Sequence, residues 1–332
     1  MFKTNILNSK RILVTGAGGQ IGSDLVPFLR QRGAQVLATG RHPNPDTTNY
    51  EIVDVTNYQR LQTVVEQYAI DTIYHLAGIL SARGENHPED CWRVNIDGLR
   101  NVLDLAKRYR LRVFWPSSIA VFGSQTPRFN TPQTTILTPS TLYGITKVTG
   151  ELLCQYAVQK LGVDVRSLRL PGIISHRALP GGGTTDFAVE MFYAALQNCP
   201  YTCFVKSETR LPMMYIPDVM EAILQLMQAD AKALTVHTSY NLMAMSFSAA
   251  ELAAEIRRHQ PNFICRYQPD FRQTIADSWP AVIDDTQARQ DWGWQPTYDL
   301  PTMVQDMLTR LSARLEDSYQ PNSLETLEVL SC

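Results

Sequence analysis

The chain has 332 residues, with 30 Lys and Arg against 32 Asp and Glu and a formal net charge of −2. That balance offers no general field for nucleic acid or an anionic membrane, and the length suits one large α/β domain or a domain with a smaller lobe. No apolar run approaches the ~20 residues of a membrane span, and the opening MFKTNILNSKRILVTG lacks the apolar centre of a signal peptide, so a cytoplasmic location is expected.

Arg11–Thr15 (RILVT) reads as a buried parallel strand. TGAGGQIG (Thr15–Gly22) follows and opens a helix from Ile21 to about Arg32, with Gly16, Gly19 and Gly22 at three-residue spacing. A tight turn, close approach of backbone to a pyrophosphate and close helix–strand packing all need such glycines. The helix N-terminus, with Gln20 and Ile21, supplies N–H groups and a positive dipole end. Gln35–Thr39 is the second strand, and it ends in ATGRH. An NAD-type site places Asp or Glu here for the ribose 2′-OH. This chain has Gly40 and Arg41 instead, so NAD is the expected cofactor and NADP the alternative that Arg41 would favour. A solvated loop arginine is the plainer reading of Arg41.

Glu51–Val53 is a short third strand, after which Asp54 and Val55 are placed to meet the adenine. Gln59–Tyr68 is a helix and Thr72–Leu76 the fourth strand, with Leu76, Ala77 and Gly78 bordering the cofactor and Ser81 just beyond. Glu89–Tyr109 reads as one long amphipathic helix containing Asn95, and Arg112–Trp115 as the fifth strand, with Ser118 just past it. Thr141–Leu161 is a helix carrying Tyr143 and Lys147 four residues apart, hence on one face. An ammonium beside a phenol favours the phenolate, which predicts a lowered Tyr143 pKa and a usable proton acceptor. Asp164–Leu170 is the sixth strand, ending at Pro171-Gly172. Strands alternating with helices in this way imply an α/β fold, a Rossmann-type doubly wound parallel sheet, over residues 1–172.

Beyond Gly172 the texture changes. Gly181–Gly183 precede a helix near Asp186–Gln197, and short strands at Tyr201–Val205 and Met213–Ile216 alternate with helices at Pro217–Gln228 and Phe247–His259. This suggests a smaller C-terminal substrate-binding lobe over 173–312, some segments of which return to the core, and a flexible acidic tail over 313–332. The six cysteines lack metal-ligand spacing and read as reduced thiols, so no metal site is expected.

The glycine turn, Ser118, Tyr143 and Lys147, together with Asn95 in VNIDG, Pro171-Gly172 and Tyr215–Asp218 (YIPD), resemble the extended short-chain dehydrogenase/reductase superfamily from about Arg11 to Asp218. The resemblance implies Tyr143 as general acid/base, Lys147 as its modulator and ribose anchor, and Ser118 as substrate orienter. It also implies Asn95 supporting the proton path, Pro171 at the cofactor, and a homodimer paired through the helices at Glu89–Tyr109 and Thr141–Leu161. Pro171–Leu196, Tyr201–Asp218 and Asp277–Asp285 further resemble the short-chain type of L-threonine 3-dehydrogenase. That implies a small amino-acid substrate whose C3 hydroxyl is oxidised to 2-amino-3-oxobutanoate. Gly183, Thr184, Thr185 and Asp186 could then hold the carboxylate, Ser81 the ammonium or carboxylate, and Trp279 the methyl group. Simple capping by Asp186 and a core role for Trp279 are the plain alternatives. A nucleotide-sugar epimerase or dehydratase would need cations that Gly181–Leu196 lacks, its only charges being Asp186 and Glu190. A non-catalytic dinucleotide-sensing regulator would not need Ser118, Tyr143 and Lys147 together.

Overall fold

The computed structural model describes residues 7–44, 47–177, 179–181 and 183–318. The first half runs β1 (Arg11–Thr15), α1 (Gly22–Gln31), β2 (Gln35–Gly40), β3 (Tyr50–Ile52), α2 (Tyr58–Gln67), β4 (Thr72–His75), α3 (Ser81–Asn86), α4 (Pro88–Trp92), a π-helical turn (Arg93–Asp97), α5 (Gly98–Tyr109), β5 (Arg112–Ser118), α6 (Leu142–Leu161) and β6 (Val165–Leu170). The second half runs β7 (Gly172–Ile174), α7 (Phe187–Leu196), β8 (Tyr201–Cys203), β9 (Arg210–Tyr215), α8 (Ile216–Gln228), β10 (Tyr240–Asn241), β11 (Met245–Ser248), α9 (Ala249–His259), β12 (Cys265–Tyr267), α10 (Arg272–Asp277), α11 (Thr286–Trp292) and α12 (Leu300–Ser318).

The central sheet has seven strands in the order β10-β6-β5-β4-β1-β2-β3, all paired in parallel. It is the expected Rossmann-type doubly wound sheet, and its order reverses between β1 and β4, where such sheets open a ligand crevice at their carboxyl ends. The strands are buried along most of their length because helices cover both faces, and β6 (VRSLRL) carries buried arginines among its apolar residues. One apolar cluster joins α1, α7, α8, α9 and α12 to one face, and a second packs α2, α5 and α6 on the other. The smaller sheets are β11-β9-β7 and β12-β8.

Several boundaries differ from the sequence expectation for physical reasons. The long helix expected over Glu89–Tyr109 is broken by the π-helical turn, which carries Asn95 inward to bond the loop after β4. β5 extends to Ser118, because Pro116, Ser117 and Ser118 stay in register with β6 through Leu170. Phe247 and Ser248 belong to β11, and Ser248 caps α9 with a reciprocal Glu251 bond. The expected tail begins too early. α12 continues through Ser318, with Leu311 buried and Arg314 donating to the carbonyl oxygens of His176 and Arg177. The rest of that tail lies outside the described residues. Cys91, Cys154, Cys203 and Cys265 carry free thiols. Cys199, read from the sequence as reduced, is disulfide-bonded; scattered cysteines carry no pairing signal in their spacing. Among the described residues no helix is long and apolar enough to cross a membrane.

Candidate active site

The glycine turn is built for close approach. Gly16 has φ +68°, and a Cβ there would lie 2.7 Å from the Ala77 nitrogen. A Cβ on Gly22 would lie 2.5 Å from the Gly16 carbonyl oxygen. These two positions let β1, the start of α1 and the end of β4 converge. Among the described residues no side chain caps the N-terminus of α1; the amides of Ser23, Asp24 and Leu25 bond back to the carbonyls of Gly19 and Ile21, and the turn before them, with the positive end of the helix dipole, forms an anion cradle. The cradle fits a pyrophosphate. Gln20 adds a crosslink, donating to the Ile173 carbonyl of β7 at 3.2 Å, and Ile21 packs partly buried against the core. Leu76 is tied by its amide to the Thr15 carbonyl, and Ala77 by its amide to the Thr15 hydroxyl.

Just past β3, Asp54 Oδ1 accepts the amide and hydroxyl of Thr56 at 2.9 and 2.8 Å. Burial alone would raise this carboxyl, but the Thr56 bonds and the charges of Arg41 and Arg93 hold it below the usual range. Val55 is buried against Gly98, and its carbonyl accepts from Asn101. Arg41 is exposed, just past the end of β2.

Asn95 acts as a clamp. Its Oδ1 accepts from the Ile79 amide at 2.8 Å, and its Nδ2 donates to the Ile79 carbonyl at 3.1 Å and to Thr146 Oγ1 at 3.0 Å. The loop holding Leu76, Ala77 and Gly78 is thereby fixed to α6, beside Lys147. The side-chain amide thus ties the loop after β4 to α6.

α6 starts where two caps meet. Thr141 Oγ1 accepts from the Gly144 amide, and Glu85 of α3 accepts from the Leu142 amide at 2.8 Å. That docks α3, whose first residue is Ser81, against the turn bearing Tyr143. Two turns on from Tyr143, Gly150 lets α6 lie flat on Trp115, since a Cβ there would meet the indole at 2.4 Å. Lys147 is consequently 7% exposed, donates to the Pro116 carbonyl at 2.6 Å and sits 4.5 Å from the Trp115 ring centroid. Its Nζ is 5.5 Å from the Tyr143 ring centroid.

The expected lowering of the Tyr143 pKa by Lys147 is not found. Burial of the phenol pushes its pKa up to about 12; hydrogen bonding with Ser118 opposes the rise, and the Cys91 charge adds to it. Burial likewise pushes Lys147 down to about 8. Desolvation outweighs the pairing because the ammonium turns to Pro116 and Trp115 instead of the phenol oxygen. Ser118 ends β5, accepts the Ala120 amide at 3.2 Å and stands level with Leu170 of β6. Pro171 follows directly.

In the turn before α7, Thr185 packs on Gly172, so a Cβ on that glycine would lie 2.8 Å from Thr185 Cγ2. Thr184 is buried. Asp186 does not cap α7; its Oδ2 accepts from the Gly183 amide at 2.7 Å and closes the turn on itself. A Cβ on Gly181 would lie 4.0 Å from Leu80 Cδ1, next to buried Ser81, so this turn and the loop after β4 approach one another. Gly182 lies outside the described residues. Trp279, 7% exposed, packs into the main core cluster, so at most one edge of it can wall a ligand.

Sequence reasoning missed the support behind Lys147. Glu151 forms a bidentate ion pair with Arg169, at 2.9 and 2.7 Å, and accepts from Ser117 at 2.6 Å. Glu151 follows Lys147 by four residues, so the face shared by Tyr143 and Lys147 continues to it, a signal present in the spacing.

A model of the family described as "NAD dependent epimerase/dehydratase family" matches residues 12–242. An uncharacterized epimerase/dehydratase of Staphylococcus haemolyticus is 46% identical over 313 residues, 92% of this chain and 98% of that protein. A crystal structure of L-threonine dehydrogenase from Phytophthora infestans has a TM-score of 0.90 at 49% identity, covering 92% of this chain and 100% of that one. A structure described as a monomeric L-threonine 3-dehydrogenase from a metagenome has a TM-score of 0.89 at 46% identity, covering 91% and 99%. With its glycine turn, its Ser118, Tyr143 and Lys147 and its doubly wound sheet, the chain belongs to the NAD-dependent epimerase/dehydratase family, in the extended short-chain dehydrogenase/reductase superfamily.

Proposed function

We propose that this chain oxidises the C3 hydroxyl of L-threonine to 2-amino-3-oxobutanoate. The observation that carries the reading is the placing of Ser118 at the end of β5, hydrogen-bonded with Tyr143 of α6 and level with Leu170 of β6, two residues before Gly172, on which the Gly183–Asp186 turn packs through Thr185. Similarity to structures named L-threonine dehydrogenase over nine-tenths of the chain supports it.

In this mechanism the threonine hydroxyl lies between Ser118 and Tyr143. Ser118 orients it and Tyr143, as phenolate, takes its proton. Gly16, Gly19, Gln20, Ile21 and Gly22 hold the pyrophosphate of the nicotinamide cofactor. Asp54 and Val55 border its adenine, while Leu76, Ala77, Gly78 and Pro171 border the nicotinamide half. The chemistry a bound oxidised nicotinamide would supply beside these residues is acceptance of the C3 hydrogen as hydride. Lys147 anchors the ribose, a role that requires its ammonium to leave or share Pro116. Thr184 and Thr185 face the substrate carboxylate, Ser81 the ammonium or carboxylate, and an edge of Trp279 the methyl group. Residues 1–172 thus serve the cofactor and 173–312 mainly the substrate, and the active form is a homodimer in the cytoplasm.

The family's epimerase and dehydratase members keep a nucleotide-sugar reading in view. Against it, the two charges of the α7 segment are both acidic, with Asp186 bonded to the Gly183 amide and Glu190 to Tyr201. Neither offers a cation to a diphosphate. Absorbance of the reduced cofactor, followed with L-threonine or a nucleotide sugar and each oxidised cofactor, separates these readings. Growth with threonine is expected. Conversion of a nucleotide sugar without any threonine oxidation would overturn the proposal.

A further inference from the structure

The adenosine end of the cradle departs from what NAD requires. Recognition of a free ribose diol calls for a carboxylate at the end of the second strand. Here β2 ends at Gly40, level with Ile52 of β3. A Cβ on Gly40 would lie 2.3 Å from the Tyr50 Oη. That phenol also donates to the His42 carbonyl at 2.7 Å. Tyr50 therefore fills the space in which a carboxylate side chain at position 40 would begin, and it fixes the turn that follows.

The neighbouring carboxylates are engaged elsewhere. Glu51 accepts from Arg60 at 2.6 Å and Tyr68 at 2.7 Å, and Asp54 Oδ1 takes both donors of Thr56. Arg41 is exposed and makes no hydrogen bond or close ion pair among the described residues, though Asp54 and Asp90 feel its charge. Asn44 Nδ2 lies 3.9 Å from where a Cβ on Gly18 would stand, so the turn Arg41–Asn44 faces the glycine turn. A phosphate on the ribose 2′ position would meet a guanidinium and an amide there, with no carboxylate at the strand end to repel it.

We infer that the dinucleotide selected by this chain carries a 2′-phosphate, NADP over NAD, with Arg41 and Asn44 holding that group and Tyr50 excluding the diol-binding carboxylate. The inference rests on the dinucleotide reading of Gly16–Gly22 and says nothing about which alcohol is oxidised.

Titration calorimetry on the full chain without substrate tests it, using NADP and NAD and then the fragments 2′,5′-ADP and 5′-AMP. NADP should bind at least about tenfold more tightly than NAD, the scale of one charge-assisted contact, and the fragments should show the same order. Arg41→Ala should bring the two affinities together, and Arg41→Lys should retain part of the difference. The pair Tyr50→Phe with Gly40→Asp, which removes the phenol oxygen and restores a carboxylate, should turn the preference toward NAD. Tighter binding of NAD by the native chain, or a preference for NADP that Arg41→Ala leaves unchanged, would overturn the inference. If the folded chain bound neither dinucleotide, the cradle reading would fall, and this inference with it.

Discussion

Tyr143 and Lys147 both have their pKa values displaced toward the neutral form, to about 12 and about 8. For Tyr143 this makes the phenolate the scarce species at neutral pH. On the proposed mechanism turnover therefore rises with pH from neutral into the alkaline range, and a profile that falls across that range would contradict Tyr143 as the base. Tyr143→Phe should lower turnover by ~10²–10⁴, the usual scale for losing a general base, with dinucleotide affinity retained. For Lys147 the displacement is also a stability statement. Its folded pKa lies below its unfolded one, so the folded state carries the full cost of a buried charge below about pH 8. The cost fades as pH rises toward 10.5, the ordinary value of a lysine, and vanishes above it. Lys147→Met should therefore inactivate the protein yet raise its stability near neutral pH by roughly 1–3 kcal/mol, part of the gain being offset by the orphaned Pro116 carbonyl. Melting curves of the variant and native chain at neutral and at strongly alkaline pH check this: the difference should shrink at the higher pH. A variant less stable than the native chain at neutral pH would show that the cation–π and carbonyl contacts of Lys147 outweigh its desolvation.

α6 shows how one element joins stability to chemistry. Tyr143, Lys147 and Glu151 are spaced four apart along it, and the last is 1% exposed opposite an Arg169 side chain that is 4% exposed. Arg169 also donates to the Gln133 carbonyl and to Asn241, so the pair ties α6 and β6 to β10. Removing one partner leaves the other charged and buried, so Glu151→Gln should cost about 3–5 kcal/mol. The double change Glu151→Gln with Arg169→Met should recover a large share of that loss. Denaturant unfolding of both singles and the double measures the coupling, and simple additivity would argue against a coupled pair. The elements and the catalytic spacing were legible in the sequence because both are local: a glycine turn after an apolar strand, and two residues one helical turn apart. What Lys147 touches was not legible. Its partner Pro116 is a residue of another element, and the approach depends on Gly150 admitting the Trp115 ring. The balance between pairing and desolvation, and with it the direction of the Tyr143 shift, depends on that packing. Likewise, the ATGRH end of β2 showed that a carboxylate was missing, but only the fold brings Tyr50, ten residues on, into its place.

At the scale of the whole molecule, α6 turns its catalytic face inward and leaves an apolar stripe outside. Ile145, Leu152 and Tyr156 are 44%, 58% and 55% exposed, and Trp92 on α4, which packs against α6, is 43% exposed. Steps of seven and four residues keep the three α6 side chains on one helical face. A monomer in water gains nothing from such a stripe, whereas a second copy can cover it by two-fold symmetry, each stripe packing on its mate. Leu152→Glu would place a carboxylate within that stripe, where its desolvation opposes the contact. Sedimentation velocity should therefore find a dimer for the native chain and a monomer for Leu152→Glu, with the fold unchanged by circular dichroism. The stripe lies on the same helix as Tyr143 and Lys147, and the dimer contact would stiffen the turn that presents them. The monomeric variant should accordingly lose turnover more than dinucleotide affinity. A native chain that sediments as a monomer at micromolar concentration, as the metagenome-derived neighbour is described, would overturn the homodimer and leave the stripe as ordinary surface.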